Sequence, residues 1–232
     1  MEQIILASNS PRRREILTLL GITYVAVDSK YDESLIKTED PVELVTELAL
    51  QKALALVKEY PEGIIIGGDT TVYIDGEWLG KAESKEEARQ MIRKLAGKTH
   101  EVYTGVAVVS ALTGESYVGY EVGGVRLMEI KETEIEKYVD NEWNWRGFAG
   151  AYALQGGMSR YLLEQSGKLS AIIGMPVELT VELLEKAGVV VEVPPKEIEI
   201  SLGNFCRIAG CKVVKISPCR RDCWDGVIRM TK

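Results

Sequence analysis

The chain has 232 residues, 46% hydrophobic and 27% charged, enough for a sizeable α/β core and without the bias of a disordered chain. No apolar run approaches the roughly 20 residues of a bilayer crossing, so a soluble protein is expected. A net charge of −7 argues against a general nucleic-acid surface, where phosphate neutralisation dominates affinity.

The first residues, Met1-Glu2-Gln3-Ile4-Ile5-Leu6, run into a strand-like stretch (3–8) with no basic, long-apolar leader pattern, so a cytoplasmic protein is expected. Ala7-Ser8-Asn9-Ser10-Pro11-Arg12-Arg13-Arg14 then joins that strand to a helix over 11–20, with Ser10 as N-cap and Pro11 at the first helical position. Free helix N–H groups beside guanidinium forks suit a phosphate. Read alone, the same residues also suit an ordinary capped helix with a solvated basic face. Asp32-Glu33 follows as an acidic pair.

Asp40-Pro41 with Glu43 opens a helix predicted over 41–60. At 100° per residue Lys52 falls inside the stripe of Val45, Leu48, Ala49 and Leu56, so its ammonium faces inward. It must snorkel, pair with a carboxylate or enter a polar cleft. Strands are predicted at 64–68 and 71–75, the first ending in Gly67-Gly68 with Asp69-Thr70 after it. A strand-end acid can hold a divalent ion or activate water, and the same glycines suit a simple turn.

A hairpin at Asp75-Gly76-Glu77-Trp78 leads to Gly80-Lys81. Further along, helices are predicted over 85–96, 134–141 and 176–187, started by Ser84 with Glu87 and by Thr133 with Glu136. Strands are predicted over 101–109, 117–128 and 189–193. Gly21 and Gly188 sit where helices end in a left-handed residue. The alternation indicates an α/β fold. Pro194-Pro195 marks a boundary between a domain over 1–195 and an extension over 196–232.

That extension differs in kind. Residues 197–232 hold seven Lys or Arg against four Asp or Glu, and all four cysteines, Cys206, Cys211, Cys219 and Cys223, lie there. Their spacing is not that of a zinc ribbon, so free thiols, zinc and disulfides stay open. The sole histidine, His100, cannot build a histidine metal cluster or serve a Ser/His/Asp triad, and a structural place is expected for it. No Walker loop or dinucleotide fingerprint occurs. Carboxylates, lysines and arginines remain, a set suited to attack of activated water on a phosphate ester.

Several separated motifs together resemble the Maf family of nucleotide pyrophosphatases, over roughly residues 3–190. They are Leu6-Ala7-Ser8-Asn9-Ser10-Pro11-Arg12-Arg13, Asp32-Glu33, Gln51-Lys52-Ala53, Gly68-Asp69-Thr70, Leu79-Gly80-Lys81, Thr99-His100-Glu101-Val102 with Thr104-Gly105-Val106, Ala149-Gly150-Ala151-Tyr152 with Gln155-Gly156, and Gly174-Met175-Pro176. The resemblance implies an inosine-triphosphatase-like mixed, twisted sheet flanked by helices, with a central substrate cleft. It also implies Asp69 as proton acceptor for the attacking water, Glu33 and Asp69 near a divalent metal, and Ser8, Arg13, Lys52 and Lys81 on the triphosphate. Mg²⁺ is the first choice of metal, with Mn²⁺ or Co²⁺ as alternatives.

Arg12, Thr70 and Gln155 match the subgroup acting on dTTP and UTP. That implies a house-cleaning hydrolase, with a 7-methyl-GTP-type enzyme or a nucleotide-binding regulator of division and septum formation as rivals. A homodimer is implied as well. The chain departs from the family at Trp145-Arg146-Gly147-Phe148, where an acid and a lysine are usual, and at Gly167-Lys168-Leu169-Ser170.

Overall fold

The computed structural model describes residues 2–208, so Cys211, Cys219 and Cys223 lie outside the described residues, as does the side chain of Cys206. Seven strands form one mixed sheet: β1 (Ile4–Leu6), β2 (Val25–Ala26), β3 (Ile64–Ile74), β4 (Glu77–Leu79), β5 (Thr99–Ser110), β6 (Ser116–Leu127) and β7 (Leu162–Ser166). Their order is β2-β1-β3-β5-β6-β7, with β4 paired to β3 off that path. β1 runs parallel to β2 and β3, whereas β4 and β7 pair antiparallel with β3 and β6. The expected mixed sheet flanked by helices is therefore present. Among the described residues no helix is long and apolar enough to cross a membrane.

The chain divides into two compact units. The first holds Met1–Thr71, Val102–Gly123 and Gly167–Ile200. Its helices include α1 (Pro11–Leu19) and α2 (Pro41–Leu54). Apolar residues of β1, α2, β3, β5 and the turns just after β1 and α2 meet in a core of Ile5, Ala7, Ala53, Leu56, Ile65 and Val109. Asp40 caps α2 as expected, its carboxylate accepting from Val42 N at 2.8 Å and Glu43 N at 3.4 Å. Val45, Leu48, Ala49 and Lys52 are all buried, so the predicted inward stripe is real. The helix ends at Leu54 rather than at 60, and short turns finish the segment.

The second unit holds Val72–Glu101, Gly124–Ser166 and, among the described residues beyond these, those from Ser201. Its α3 (Lys85–Leu95) buries Ala88, Met91, Ile92 and Leu95, a single helical stripe, and packs with α4 (Glu132–Val139). Arg89 Nε bridges to Glu136 at 2.6 Å, and Arg93 pairs with Glu132. The β3–β4 hairpin turns on Asp75 and Gly76, both at positive φ (51° and 84°), as a primed two-residue turn requires. Beyond α4, Trp145 is fully buried and its Nε1 donates to the Val139 carbonyl at 2.9 Å.

Several local expectations are corrected. β3 is one strand running through Gly67-Gly68-Asp69, with no turn between two strands. Ser10 precedes α1 but makes no side-chain cap, and α4 begins at Glu132 after Lys131, leaving Thr133 inside it. Residues 189–193 form no strand, since Val190 is exposed and no neighbouring strand offers a ladder. Pro195 opens a further helix, α7 (Pro195–Ile208), a place proline fills because its missing N–H would be unpaired there anyway. Gly21 and Gly188 do take positive φ.

Candidate active site

Three ionised groups of the first unit converge on one point. Lys52, in the last turn of α2, places Nζ 2.6 Å from Asp69 Oδ1 and 2.8 Å from Glu33 Oε1. Lys52 and Asp69 are each 7% exposed, whereas Glu33 reaches in from an exposed position on the short 3-10 turn Glu33–Leu35. Two carboxylates around one ammonium satisfy the charge that burial would otherwise penalise.

Glycines make this approach possible. A Cβ on Gly67 would lie 1.9 Å from the Ala49 carbonyl oxygen, and one on Gly105 would lie 2.2 Å from that of Val45. Only bare backbone lets α2 press against the sheet at these two points, and that pressing carries Lys52 to Asp69. Gly68 leaves room for the Arg13 guanidinium, whose Nε would stand 3.1 Å from an added Cβ.

Arg13 is held on three sides. Nη1 donates to Ser8 Oγ at 3.0 Å, Nη2 to Thr70 Oγ1 at 3.1 Å, and Nε to the Gly174 carbonyl at 2.9 Å. Burial draws the guanidinium below its ordinary pKa, and the charges of Asp69 and Glu33 oppose that shift. Thr104, fully buried, donates to the Ala171 carbonyl at 2.8 Å and lies 3.1 Å from Thr70 Oγ1. Each hydroxyl has one proton, so the chain runs from Arg13 through Thr70 and Thr104 to Ala171. The guanidinium is thereby fixed beside Gly68.

Ser8, Arg13, Glu33, Lys52, Asp69 and Thr70 therefore share the first unit, and hydrogen bonds or ion pairs join them into two linked sets. Arg12 stands in the first turn of α1, half-buried, beside Arg13. Lys81 and Gln155 belong to the second unit. Lys81 is exposed and bridges to Ala149 in antiparallel fashion, while Gln155 is buried. Also in that unit, His100 is 2% exposed with Nε2 2.6 Å from the Tyr152 hydroxyl, and burial lowers its pKa to about 4. Burial thus disfavours the charged imidazole, and its Nε2 is engaged by the Tyr152 hydroxyl. Arg146, in the departing loop, pairs with Glu142 at 2.7 Å and lies over the Trp145 ring.

Sequence reasoning gave no role to Gly174 or Ala171, whose backbone carbonyls anchor the Arg13 set. Backbone acceptors carry no side-chain signal. Thr104 was visible only as part of a motif.

Among the described residues no group of three or more His, Cys, Asp or Glu is placed to hold a metal ion. The Glu33 and Asp69 carboxylates stand on either side of the Lys52 ammonium, and oxygen donors of this kind are chemically compatible with a hard cation that takes one or two carboxylates and completes its shell with water and phosphate oxygens.

The family model described as "Maf-like protein" matches residues 3–187. A dTTP/UTP pyrophosphatase of Symbiobacterium thermophilum is 39% identical over 188 residues, 81% of this chain and 95% of that protein. One from Desulforamulus reducens is 39% identical over 189 residues (82% and 98%), and one from Pyrococcus furiosus 38% over 186 (80% and 95%). Among solved structures, the Staphylococcus aureus Ham1 protein aligns with 14% identity and a TM-score of 0.43, covering 87% of this chain and 98% of that one. With the family model spanning most of its length and relatives well above 30% identity, the chain belongs to the Maf family.

Proposed function

We propose that the protein is a nucleoside triphosphate pyrophosphatase, a hydrolase that converts dTTP and UTP to the monophosphate and pyrophosphate. The observation that carries this reading is the buried Lys52 ammonium held between Asp69 and Glu33 beside a fixed Arg13 guanidinium. Such a set offers cationic donors for phosphate oxygens and a carboxylate for a water proton at one place. The names of the relatives support the same substrate pair.

In this reading Asp69 accepts the proton of the attacking water, whose oxygen bonds to the α-phosphorus as the bridge to the β-phosphate breaks. Arg13, Ser8, Lys52 and Lys81 hold the triphosphate, and each positive charge matters most as negative charge grows on the leaving pyrophosphate. A divalent cation, Mg²⁺ before Mn²⁺ or Co²⁺, would be held by Glu33 and Asp69 and would supply charge neutralisation. Lys52 would then shift from the carboxylates toward phosphate. Gln155, with Arg12 and Thr70, is assigned to substrate selection, because an amide offers a donor and an acceptor to the O4 and N3–H edge of uracil or thymine.

The reading places the enzyme in the cytoplasm as a homodimer, with 1–195 as the catalytic domain. The test is a panel of common and modified triphosphates with Mg²⁺. dTTP and UTP should lead in kcat/KM, and a purine triphosphate or 7-methyl-GTP clearly ahead of both would overturn the substrate assignment.

A further inference from the structure

The family match ends at residue 187, yet the chain beyond it reaches back into the first unit. Glu199, half-buried on α7, accepts a hydrogen bond from Ser170 Oγ. Ser170 is fully buried and sits in α5 (Leu169–Ile173), where it organises the turn into α6 (Val177–Lys186). Its hydroxyl accepts from Val177 N at 3.1 Å, and its carbonyl accepts from Gly174 N at 3.1 Å and Met175 N at 3.0 Å. Gly174 at φ 106° closes that turn and presents its carbonyl to Arg13 Nε. A second contact has the same sense: Val193 Cγ2 lies 3.5 Å from where a Cβ on Gly21 would be, at the end of the helix that carries Arg13.

We infer that Glu199 is a positioning residue: through Ser170 it sets the Gly174 carbonyl, and through that carbonyl the orientation of the Arg13 guanidinium. A serine hydroxyl has a single proton. With Glu199 taking it, the Ser170 lone pairs are aimed at Val177 N, and the hydroxyl cannot turn to a competing acceptor. The segment after residue 187, beyond the family match, thereby helps to set a group assigned above to the phosphates. The consequence for substrate rests on the function proposed above, whereas the consequence for Arg13 does not.

Two readouts separate these. The Nε–H resonance of Arg13, assigned by its loss in Arg13→Lys, should be slow to exchange in the parent protein. Glu199→Ala and Glu199→Asp, the latter too short to reach Ser170, should shift and broaden it, and Glu199→Gln, which keeps an acceptor oxygen, should restore it. With dTTP and Mg²⁺, the Ala and Asp variants should raise KM about fivefold with kcat within about twofold, and the Gln variant should return toward the parent. Parent-like Arg13 resonances in the Ala and Asp variants would overturn the inference, as would equal effects in the Ala and Gln variants. A parent protein inert toward dTTP would remove the proposed function and leave the resonance to decide the positioning role.

Discussion

The Lys52 ammonium and the Asp69 carboxylate meet at 2.6 Å in a site where each is 7% exposed, and this pair links the fold to the chemistry. Asp69→Asn keeps the shape and removes the base. It should lower kcat by about 100-fold or more while nucleotide binding stays measurable, since general-base catalysis contributes roughly 10²–10⁴. Turnover like the parent would remove Asp69 as the base, and a parent protein that binds the nucleotide without turning it over would leave binding as the role. Lys52→Met should cost about 3 kcal/mol of stability in chemical denaturation, because one partner of a buried pair is left uncompensated. Adding Asp69→Asn should recover part of that loss.

Adjacent glycines should respond differently. Gly67→Ala drives a Cβ into the Ala49 backbone carbonyl, which cannot move without moving α2, so about 2 kcal/mol of destabilisation and loss of turnover are expected. Gly68→Ala meets the side chain of Arg13, which can give way. Its thermal midpoint should change little while KM rises. Equal midpoints for both variants would contradict the close approach of α2.

His100 gives a pH signature. Its folded pKa of about 4 lies below the ordinary 6.5, so the folded state resists a proton that the unfolded chain accepts. Stability from this residue is full above pH 6.5 and falls as pH drops toward 4, by about 3 kcal/mol over the window. Burial raises Glu15 and Glu199, whose contributions run the opposite way and are lost as pH rises. The comparison is therefore parent against His100→Gln by denaturation at pH 7 and 5. The parent should lose more stability on acidification, and equal losses would place the His100 pKa near its ordinary value.

Gln155→Glu places a carboxylate where the proposed base contact needs both a donor and an acceptor. The kcat/KM ratio of dTTP over GTP should fall by about tenfold or more, as buried polar groups left unpaired set such discrimination. An unchanged ratio would reduce Gln155 to a loop anchor.

The sequence showed Lys52 facing inward because helical periodicity is local, and it showed the Asp40 cap and the Asp75-Gly76 turn for the same reason. Asp69 was singled out from a local reading that the fold corrects in part. Gly67-Gly68 read as a strand end, whereas the strand continues and the glycines serve close packing of α2 and Arg13. The Arg13–Gly174 hydrogen bond spans 161 residues and ends on a backbone carbonyl, so no local pattern carries it. Val189-Val190-Val191 had strand composition, yet β propensity without a neighbouring ladder yields no strand. The Thr133 cap failed because the helix starts two residues before the predicted 134, at Glu132, without any side-chain cap.

The central claim is cleavage between the α- and β-phosphates, and phosphorus-31 NMR of dTTP with the protein and Mg²⁺ tests it directly. The account predicts dTMP and pyrophosphate appearing together in equal amounts, abolished by excess chelator and by Asp69→Asn. Appearance of dTDP and orthophosphate instead would contradict it.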